Sequence, residues 1–228
     1  MTDQDSELVR QIRETAAKVS SFTAEYDLTM QLEGIGLHST GKLYYSGNSC
    51  YRVEGITNGH RIITVSRNEL SQTLFVDLKL LSRSNTIADQ SPIDILHGLS
   101  DVRDSFSSTD DDTLVYAGET IVDDRKTHHF LGNFRTVIIP GVARVRMPIE
   151  VELFVDQEWC LLLRRVWTQI GKATLVSAHY KILNVDVPLA DELFSIDLSL
   201  RDVKKVDTMD ITKILFSPDD RHQGASMN

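Results

Sequence analysis

The chain has 228 residues, of which 41% are apolar and 25% are charged, and its formal net charge is −9 at pH 7. This composition is ordinary for a globular protein, and no stretch approaches the roughly 18 uncharged apolar residues that a membrane-spanning helix needs. The acidic balance argues against nucleic acid as a partner and would repel an anionic bilayer surface. Any contact with lipid is therefore expected through an apolar pocket.

The length predicts one domain over residues 1–218, followed by a disordered tail over 219–228. The first ten residues, MTDQDSELVR, lack the charged and apolar regions of a secretory signal. Two alternatives follow. The chain is cytoplasmic if Met1 is its native start, or it is a mature envelope protein whose leader has been removed.

Two cysteines, Cys50 and Cys160, are far apart and lack the spacing of metal ligands. They are interpreted as two buried thiols or, in an oxidising compartment, as one disulfide.

Residues 6–20 predict an amphipathic helix. Its apolar residues recur at helical spacing, with charges opposite. The stripe consists of Leu8, Ile12, Ala16 and Val19, with Val9 beside it.

The next segment, FTAEYDLTMQLE, alternates apolar and polar residues without interruption. Successive side chains of a strand point to opposite faces, so one face is predicted to carry all the apolar ones. That face consists of Phe22, Ala24, Tyr26, Leu28, Met30 and Leu32. A closed core and a cavity for an apolar ligand both require this pattern.

Three further strands are predicted in LHSTGKLYYSG, CYRVEGI and GHRIITVS. Gly34 and Gly36 are assigned to the first turn, and the pairs at 47–48 and 58–59 to the next two. The result is an antiparallel meander. Residues 74–76 predict one more short strand before a less regular stretch.

A second helix is predicted from Ser91, an N-cap residue followed by proline and then an acid. Its apolar stripe consists of Ile93, Leu96 and Leu99, and it is expected to cover the sheet.

After an exposed loop at 105–112, strands return in TLVYAGETIV, THHFLGNF, RMPIEVELFVD, CLLLRRVWTQ and TLVSAHYKILNVDV. A turn at 123–124 separates the first two. The total of about nine to eleven strands and two main helices predicts an α+β fold with a mostly antiparallel sheet.

Several motifs fail as chemical sites. His128 and His129 are neighbours in a strand, so they face opposite sides and cannot readily hold one ion together. The acidic run at 110–112 lacks the spaced ligands of a calcium loop, and Gly34 and Gly36 open no helix for a dinucleotide. No serine lies in a G-x-S-x-G motif. We predict no metal, cofactor or catalytic residue.

Arg164 and Arg165 lie within a predicted strand, so one of them must point to each face. The inward arginine could anchor a head group or bond a covering helix. The alternative is a rim arginine paired with an acid.

Four stretches resemble the LolA-like family of periplasmic lipoprotein carriers and outer-membrane lipoprotein-sorting proteins. They are the leading helix with SSFTAEYDLTM, the strand TGKLYY, the hairpin ELFVDQEWCLLLRRV and the closing segment VDVPLADELFSIDL. In this order they span residues 8 to 200.

The resemblance implies a strongly curved antiparallel sheet that forms an incomplete, half-open β-barrel, with helices over its open side. It also implies an apolar cavity that receives acyl chains. The implied cavity residues are Phe22, Tyr26, Leu28, Met30, Leu32, Leu43 and Tyr45, and the implied lid residues are Ile93, Leu96 and Leu99.

The resulting hypothesis is a non-enzymatic, monomeric carrier of lipid or lipoprotein acyl chains in the periplasm or cell envelope, with an envelope membrane protein as a further partner. The alternative is a regulatory or sensory module of the same fold that detects lipoprotein or binds a partner protein. An enzyme on this scaffold is the third hypothesis, since a fold does not determine a function.

Overall fold

The computed structural model describes residues 3–32, 35–47, 50–67, 70–85, 106, 113–134, 137–139, 143–145, 148–169, 174–196 and 202–206. In the first half these contain α1 (Asp3–Ala16), β1 (Ser21–Leu32), β2 (Ile35–Ser46), β3 (Cys50–Thr57), β4 (His60–Arg67), β5 (Leu70–Phe75) and β6 (Leu80–Asn85). The second half contains β7 (Val115–Val122), β8 (Arg125–Phe134), β9 (Val137–Ile139), β10 (Ala143–Val145), β11 (Ile149–Asp156), β12 (Leu162–Gln169), β13 (Thr174–Val185), a 3₁₀ helix (Asp191–Phe194) and β14 (Lys204–Val206).

Twelve strands form one open sheet in the order β14-β6-β5-β4-β3-β2-β1-β13-β12-β11-β8-β7. Neighbours are antiparallel except β14, which pairs in parallel with β6. Among the described strands the sheet does not close on itself, because β14 and β7 stand at its two edges. The predicted open, mostly antiparallel architecture is confirmed. Strands β9 and β10 pair separately, and the strands outnumber the nine to eleven predicted.

Helix α1 presents an apolar stripe to the core. Its buried residues are Val9, Ile12 and Ala16. On its exposed side, Arg10 pairs with Glu7 and Glu14. The helix ends at Ala16, earlier than predicted, although Val19 is still buried. It is the one α-helix within the described ranges, and the predicted second helix with Ile93, Leu96 and Leu99 lies outside them.

Two hairpin turns are as predicted. Asn58 and Gly59 have φ values of 46° and 83°, and Asp123 and Asp124 have 49° and 61°. Such left-handed pairs match the twist of the strands that they join. The assignment of Gly36 to a turn is wrong, because β2 begins at Ile35 and Gly36 pairs with Gln31 of β1.

The stretch after residue 76 is more regular than expected. Strand β6 lies within it and pairs with β5 along its full length. Residues 207–228, which include the predicted tail, lie outside the described residues.

The sheet buries its two faces differently. We call the face that carries Ala24, Tyr26 and Leu28 of β1 the inner face. The main hydrophobic core lies on it and includes the apolar residues of α1. The opposite, outer face carries alternate residues such as Glu25 and Asp27, which are exposed.

Residues 187–196, the C-terminal strap, pack on the outer face of β2, β3 and β4. Phe194 of the strap is 5% exposed and packs in a second cluster with Cys50 and Val65. Arg52 of β3 donates to the carbonyl oxygens of Leu193 and Ser195, at 3.0 and 2.9 Å. The strap thus gives this part of the sheet a second layer.

The two cysteines are free thiols. Cys50 is buried under the strap, whereas Cys160 belongs to the main core. The disulfide alternative is therefore wrong, because the two side chains are buried in separate clusters.

Candidate functional site

Strand β1 places its apolar set on the inner face, as its alternation predicts. The members whose side chains are described are Phe22, Ala24, Tyr26, Leu28 and Met30, and each is at most 5% exposed. The intervening Glu25, Asp27 and Thr29 are exposed. The side chain of Leu32 lies outside the described residues.

Strand β2 brings the other two predicted cavity residues to the same place. Leu43 pairs in register with Ala24, and Tyr45 pairs with Phe22. The rings of Phe22 and Tyr45 stack with centroids 5.1 Å apart. Six of the seven predicted cavity residues therefore share one continuous surface.

Strand β13 continues this surface on the other side of β1. Three of its residues pair in register with Tyr26, Leu28 and Met30, and they are Tyr180, Ala178 and Val176. All three are buried. The alternation of this strand indicated one apolar face, but only the register showed that this face adjoins that of β1.

Strands β8 and β11 extend the apolar surface further. Their buried residues include Phe130, Ile149, Val151 and Leu153, each at most 1% exposed. Sequence reasoning predicted these strands but assigned none of their residues to the site. The alternation in IEVELFV indicated an apolar face on β11. It did not show that β11 pairs with β8.

Arg165 of β12 points to the inner face, and Arg164 points outward. Arg165 is 3% exposed, and its guanidinium carbon lies 5.0 Å from the ring centroid of Trp167. Arg164 lies over the ring of Phe154 on the outer face, at 5.5 Å. The prediction of one arginine on each face is confirmed. The inward one places a cation between Leu153 and Ala178.

A chain of hydroxyl groups crosses the inner face at its centre. The Tyr26 hydroxyl lies 3.1 Å from Oγ of Ser39, which lies 2.7 Å from Oγ1 of Thr57. Burial raises the pKa of Tyr26 to about 12, although the bond to Ser39 acts in the opposite direction. Hydrogen bonding offsets the cost of burying these polar groups.

Helix α1 lies against the apolar part of this surface. The guanidinium of Arg13 lies 5.6 Å from the ring centroid of Phe106, whose ring meets that of Phe130 edge-on at 5.2 Å. Burial raises the pKa of Cys160, whose thiol is hydrogen-bonded to Thr15 near the end of α1. Among the described elements, α1 therefore covers part of the inner face.

A polar cluster stands at the β11–β12 turn, outside the predicted site. Asp156 is 1% exposed and accepts a hydrogen bond from Nε of Arg125 at 2.5 Å. Its other oxygen accepts the backbone N–H groups of Glu158 and Trp159. The Arg125 guanidinium also stacks on Trp159, at 3.8 Å from the ring centroid. These bonds hold the turn in place.

The histidines show no chelating arrangement. His128 lies beside Tyr116, whereas His129 stacks on Phe154 of the outer face with centroids 4.4 Å apart. The two thus point to opposite faces, as expected. Within the described ranges, no group of three His, Cys, Asp or Glu residues could hold a metal ion.

No helix in the described part of the chain has the length and apolar character needed to cross a bilayer.

Comparison with known proteins gives matches in fold only. No protein-family model matches the chain, and no curated protein matches it by sequence. An uncharacterised conserved protein from Thermus thermophilus superposes with a TM-score of 0.57 at 13% identity, over 89% of this chain and 99% of that one.

MucB superposes with a TM-score of 0.52 at 14% identity, over 86% of this chain and 64% of MucB. MucB in complex with MucA(peri) gives 0.50 at 15% identity, over 85% and 60%. This chain thus spans less than two thirds of MucB. At such identities the matches establish the fold alone, and the predicted resemblance to the LolA-like family is confirmed at that level only.

Proposed function

We propose that this chain binds the acyl chains of a lipid or lipoprotein on the inner face of its sheet and carries them, without chemical conversion, in a cell envelope. The observation that carries the proposal is the continuous apolar surface that β1, β2, β13, β11 and β8 build on one face of an open sheet. The resemblance of the fold to the LolA-like family supports it.

The dimensions of the sheet support this proposal. Twelve strands spaced at about 4.8 Å make a sheet roughly 55 Å wide. Helix α1, with 14 residues, is about 21 Å long and about 10 Å across. One helix therefore contacts only a part of the inner face, and we propose that an acyl chain gains access to part of the remainder, whose residues are buried in the ligand-free chain.

The hydrophobic effect is large enough to drive such binding. Each buried CH₂ group contributes about 0.8 kcal/mol, so one acyl chain offers on the order of 10 kcal/mol before ordering costs. The apolar stripe of α1 competes for the same surface when no ligand is bound. That competition lowers the net affinity, which allows release.

Mass spectrometry after lipid extraction tests the proposal on the purified chain. We expect acyl species to co-purify with the wild-type protein and to be lost in Leu28→Asp and Met30→Asp. Thr29→Asp is the matched control, because it places the same charge on the same strand at an exposed position of the outer face.

A space-filling variant provides a second test in case Leu28→Asp and Met30→Asp do not fold. Ala178 is fully buried on β13, and Ala178→Leu adds apolar volume without adding charge. It should lower the acyl content while the protein still melts cooperatively. If the wild type yields no acyl species, or if all variants retain them equally, the proposal is wrong.

The second candidate function is recognition of a partner protein. The fold shared with MucB, which has been solved in complex with MucA(peri), favours it. Edge strand β7 adds the exposed apolar residues Val115 and Ile121, at 52% and 69% exposure. Stoichiometric capture of one envelope protein, lost in Ile121→Lys, would support recognition over carriage.

A further inference from the structure

The inner face is not apolar throughout. On the side of the sheet formed by β4, β5 and β6, most inward positions carry hydroxyl groups. This hydroxyl patch consists of Thr64, Ser66, Ser71, Thr73 and Ser82, which are between 1% and 5% exposed. Such a concentration of buried hydroxyls is unusual, since serine and threonine are mostly exposed in proteins.

Strand register shows that the patch continues the candidate site. Ala24 pairs with Leu43 and Leu43 with Val53, which then pairs with Thr64. The same row continues from Thr64 to Thr73 and then to Ser82. Residues directly opposite in neighbouring strands point to the same side, so this row changes from apolar to hydroxyl-bearing between β3 and β4.

A second row changes in the same way. It begins with the stacked rings of Phe22 and Tyr45 and reaches Tyr51, which pairs with Ser66. Ser66 in turn pairs with Ser71. Both rows therefore change from apolar to hydroxyl-bearing at the same strand boundary, whereas the neighbouring row of Ile62, Phe75 and Leu80 stays apolar.

The hydroxyls of the patch keep some capacity for further hydrogen bonds. Thr64 and Thr73 bond each other, with their oxygens 3.1 Å apart. A hydroxyl group has one donor and two acceptor lone pairs, so an oxygen in such a pair can accept another hydrogen bond. A polar group of a ligand would supply it.

The patch is also neutral. Its five residues carry no charge, in contrast to Arg165 on β12, and the ionisable inward residue of β4, His60, lies at the start of that strand and pairs with Asp77 at 3.0 Å. Hydroxyl groups donate and accept hydrogen bonds but do not neutralise a charge. The chemistry therefore favours alcohols, esters and sugars over phosphate or carboxylate.

We propose that the hydroxyl patch binds the neutral polar head group of an amphiphilic lipid, an acylglycerol or a glycolipid, whose acyl chain lies over β1, β2 and β13. This inference rests on the proposed function. From β1 to β5 the sheet spans four strand spacings, or about 19 Å. The head and the tail of one lipid thus lie on two parts of one surface.

Displacement of a fluorescent fatty-acyl probe from the purified chain tests this assignment. The competitors are monoolein, a monoglycosyl diacylglycerol and oleate, which carry a glycerol, a sugar and a carboxylate. We expect the wild type to prefer the neutral lipids to oleate. The neutral lipid that displaces the probe at the lower concentration shows whether the patch prefers a glycerol or a sugar head group.

The variants Ser66→Ala and Thr73→Val remove single hydroxyls with little change in volume. Each should weaken binding of the preferred neutral lipid by about two- to tenfold, with the affinity for oleate unchanged. The matched control is Thr29→Val, which removes a hydroxyl from the outer face of β1. It should change neither affinity, and melting curves should show that all three variants fold.

The outcomes separate this inference from the proposed function. If the wild type binds no acyl probe, the proposed function fails and the head-group assignment fails with it. If the probe binds but the wild type favours oleate, or Ser66→Ala and Thr73→Val leave neutral-lipid binding unchanged, only the assignment to the hydroxyl patch is overturned. Preference for oleate would indicate Arg165 as the head-group contact instead.

Discussion

The hydroxyl oxygen of Tyr26 on β1 lies 2.5 Å from the position that a Cβ atom would take on Gly55 of β3. Gly41 of β2 stands between them and pairs in register with both. Because neither glycine has a side chain, the Tyr26 side chain can cross β2 and bring its hydroxyl to Ser39. Two glycines thus position the central aromatic residue of the inner face.

Gly55→Ala should destabilise the fold. A methyl group at this position would overlap both the Tyr26 hydroxyl and the backbone carbonyl oxygen of Thr40. Forcing volume into a packed interior costs about 1–3 kcal/mol, which urea unfolding would measure as a lower free energy of unfolding. Gly36→Ala is the control, because no atom lies within 4 Å of its added Cβ. Equal losses in both variants would contradict the steric argument.

Stability should fall above about pH 10 through Tyr26. The pKa of Tyr26 is raised to about 12 by burial, whereas an unfolded tyrosine has a pKa of about 10. Between these values the folded chain keeps a proton that the unfolded chain has lost, so stability falls as the pH rises. The contribution is fully present below about pH 10, and its loss by about pH 12 is on the order of 2 kcal/mol.

Urea unfolding of the wild type and Tyr26→Phe over this pH range measures that contribution. The phenylalanine variant cannot ionise at this position, so its stability should fall less steeply than that of the wild type. Parallel losses in the two proteins would show that Tyr26 is not the group responsible.

Asp156→Asn should weaken the β11–β12 turn. The carboxylate is buried, pairs with Arg125 and accepts two backbone N–H groups. Asparagine keeps one acceptor oxygen and replaces the other with an NH₂ group, so either Arg125 or the two backbone N–H groups lose their acceptor, at a cost of about 2–3 kcal/mol. Thermal unfolding should show a clear decrease in melting temperature.

Glu158→Gln is the control for Asp156→Asn. Glu158 pairs with the same arginine at 2.9 Å, but its side chain is 67% exposed. Exposed ion pairs contribute at most about 1 kcal/mol. A larger effect from Glu158→Gln than from Asp156→Asn would contradict the importance given to burial.

The C-terminal strap should detach locally when its anchors are removed. Phe194→Ala loses the buried ring that packs on Val65, and Arg52→Ala loses the two bonds to strap carbonyls. We expect a loss of about 3 kcal/mol for Phe194→Ala and faster amide hydrogen exchange over residues 187–196. Leu183→Ala, at a 40% exposed position, should leave exchange unchanged. Unchanged exchange in Phe194→Ala would show that the ring does not hold the strap.

Local patterns predicted the elements that local forces determine. The alternation from Phe22 to Met30 correctly indicated a strand with one buried face, since side-chain direction follows from backbone geometry alone. The turn at Asn58 and Gly59 was likewise predictable, because few residues adopt left-handed backbone. Gly36 was misassigned because glycine is also compatible with a strand.

Strands β5 and β6 were harder to recognise for a reason connected with the site. Their inward positions carry Ser71, Thr73 and Ser82, so the alternation of apolar and polar residues that marks a strand is weak. The serine and threonine residues of the hydroxyl patch therefore made these strands harder to predict from the sequence. Strand β14 was missed because its parallel pairing with β6 joins segments more than 100 residues apart.

The amino-acid sequence by itself determined that β1 and β13 each have one apolar face, that Arg164 and Arg165 point to opposite sides, and that the sheet is mostly antiparallel. These properties depend on the alternation of side chains along a strand and on tight turns. Tertiary structure alone decided that β13 pairs with β1, that Arg165 is the inward arginine, and that the hydroxyls of β4 to β6 lie on the same face as Leu28. The reason is that strand order and register depend on contacts between segments that are distant in sequence. A local pattern does not show which of these segments bury each other.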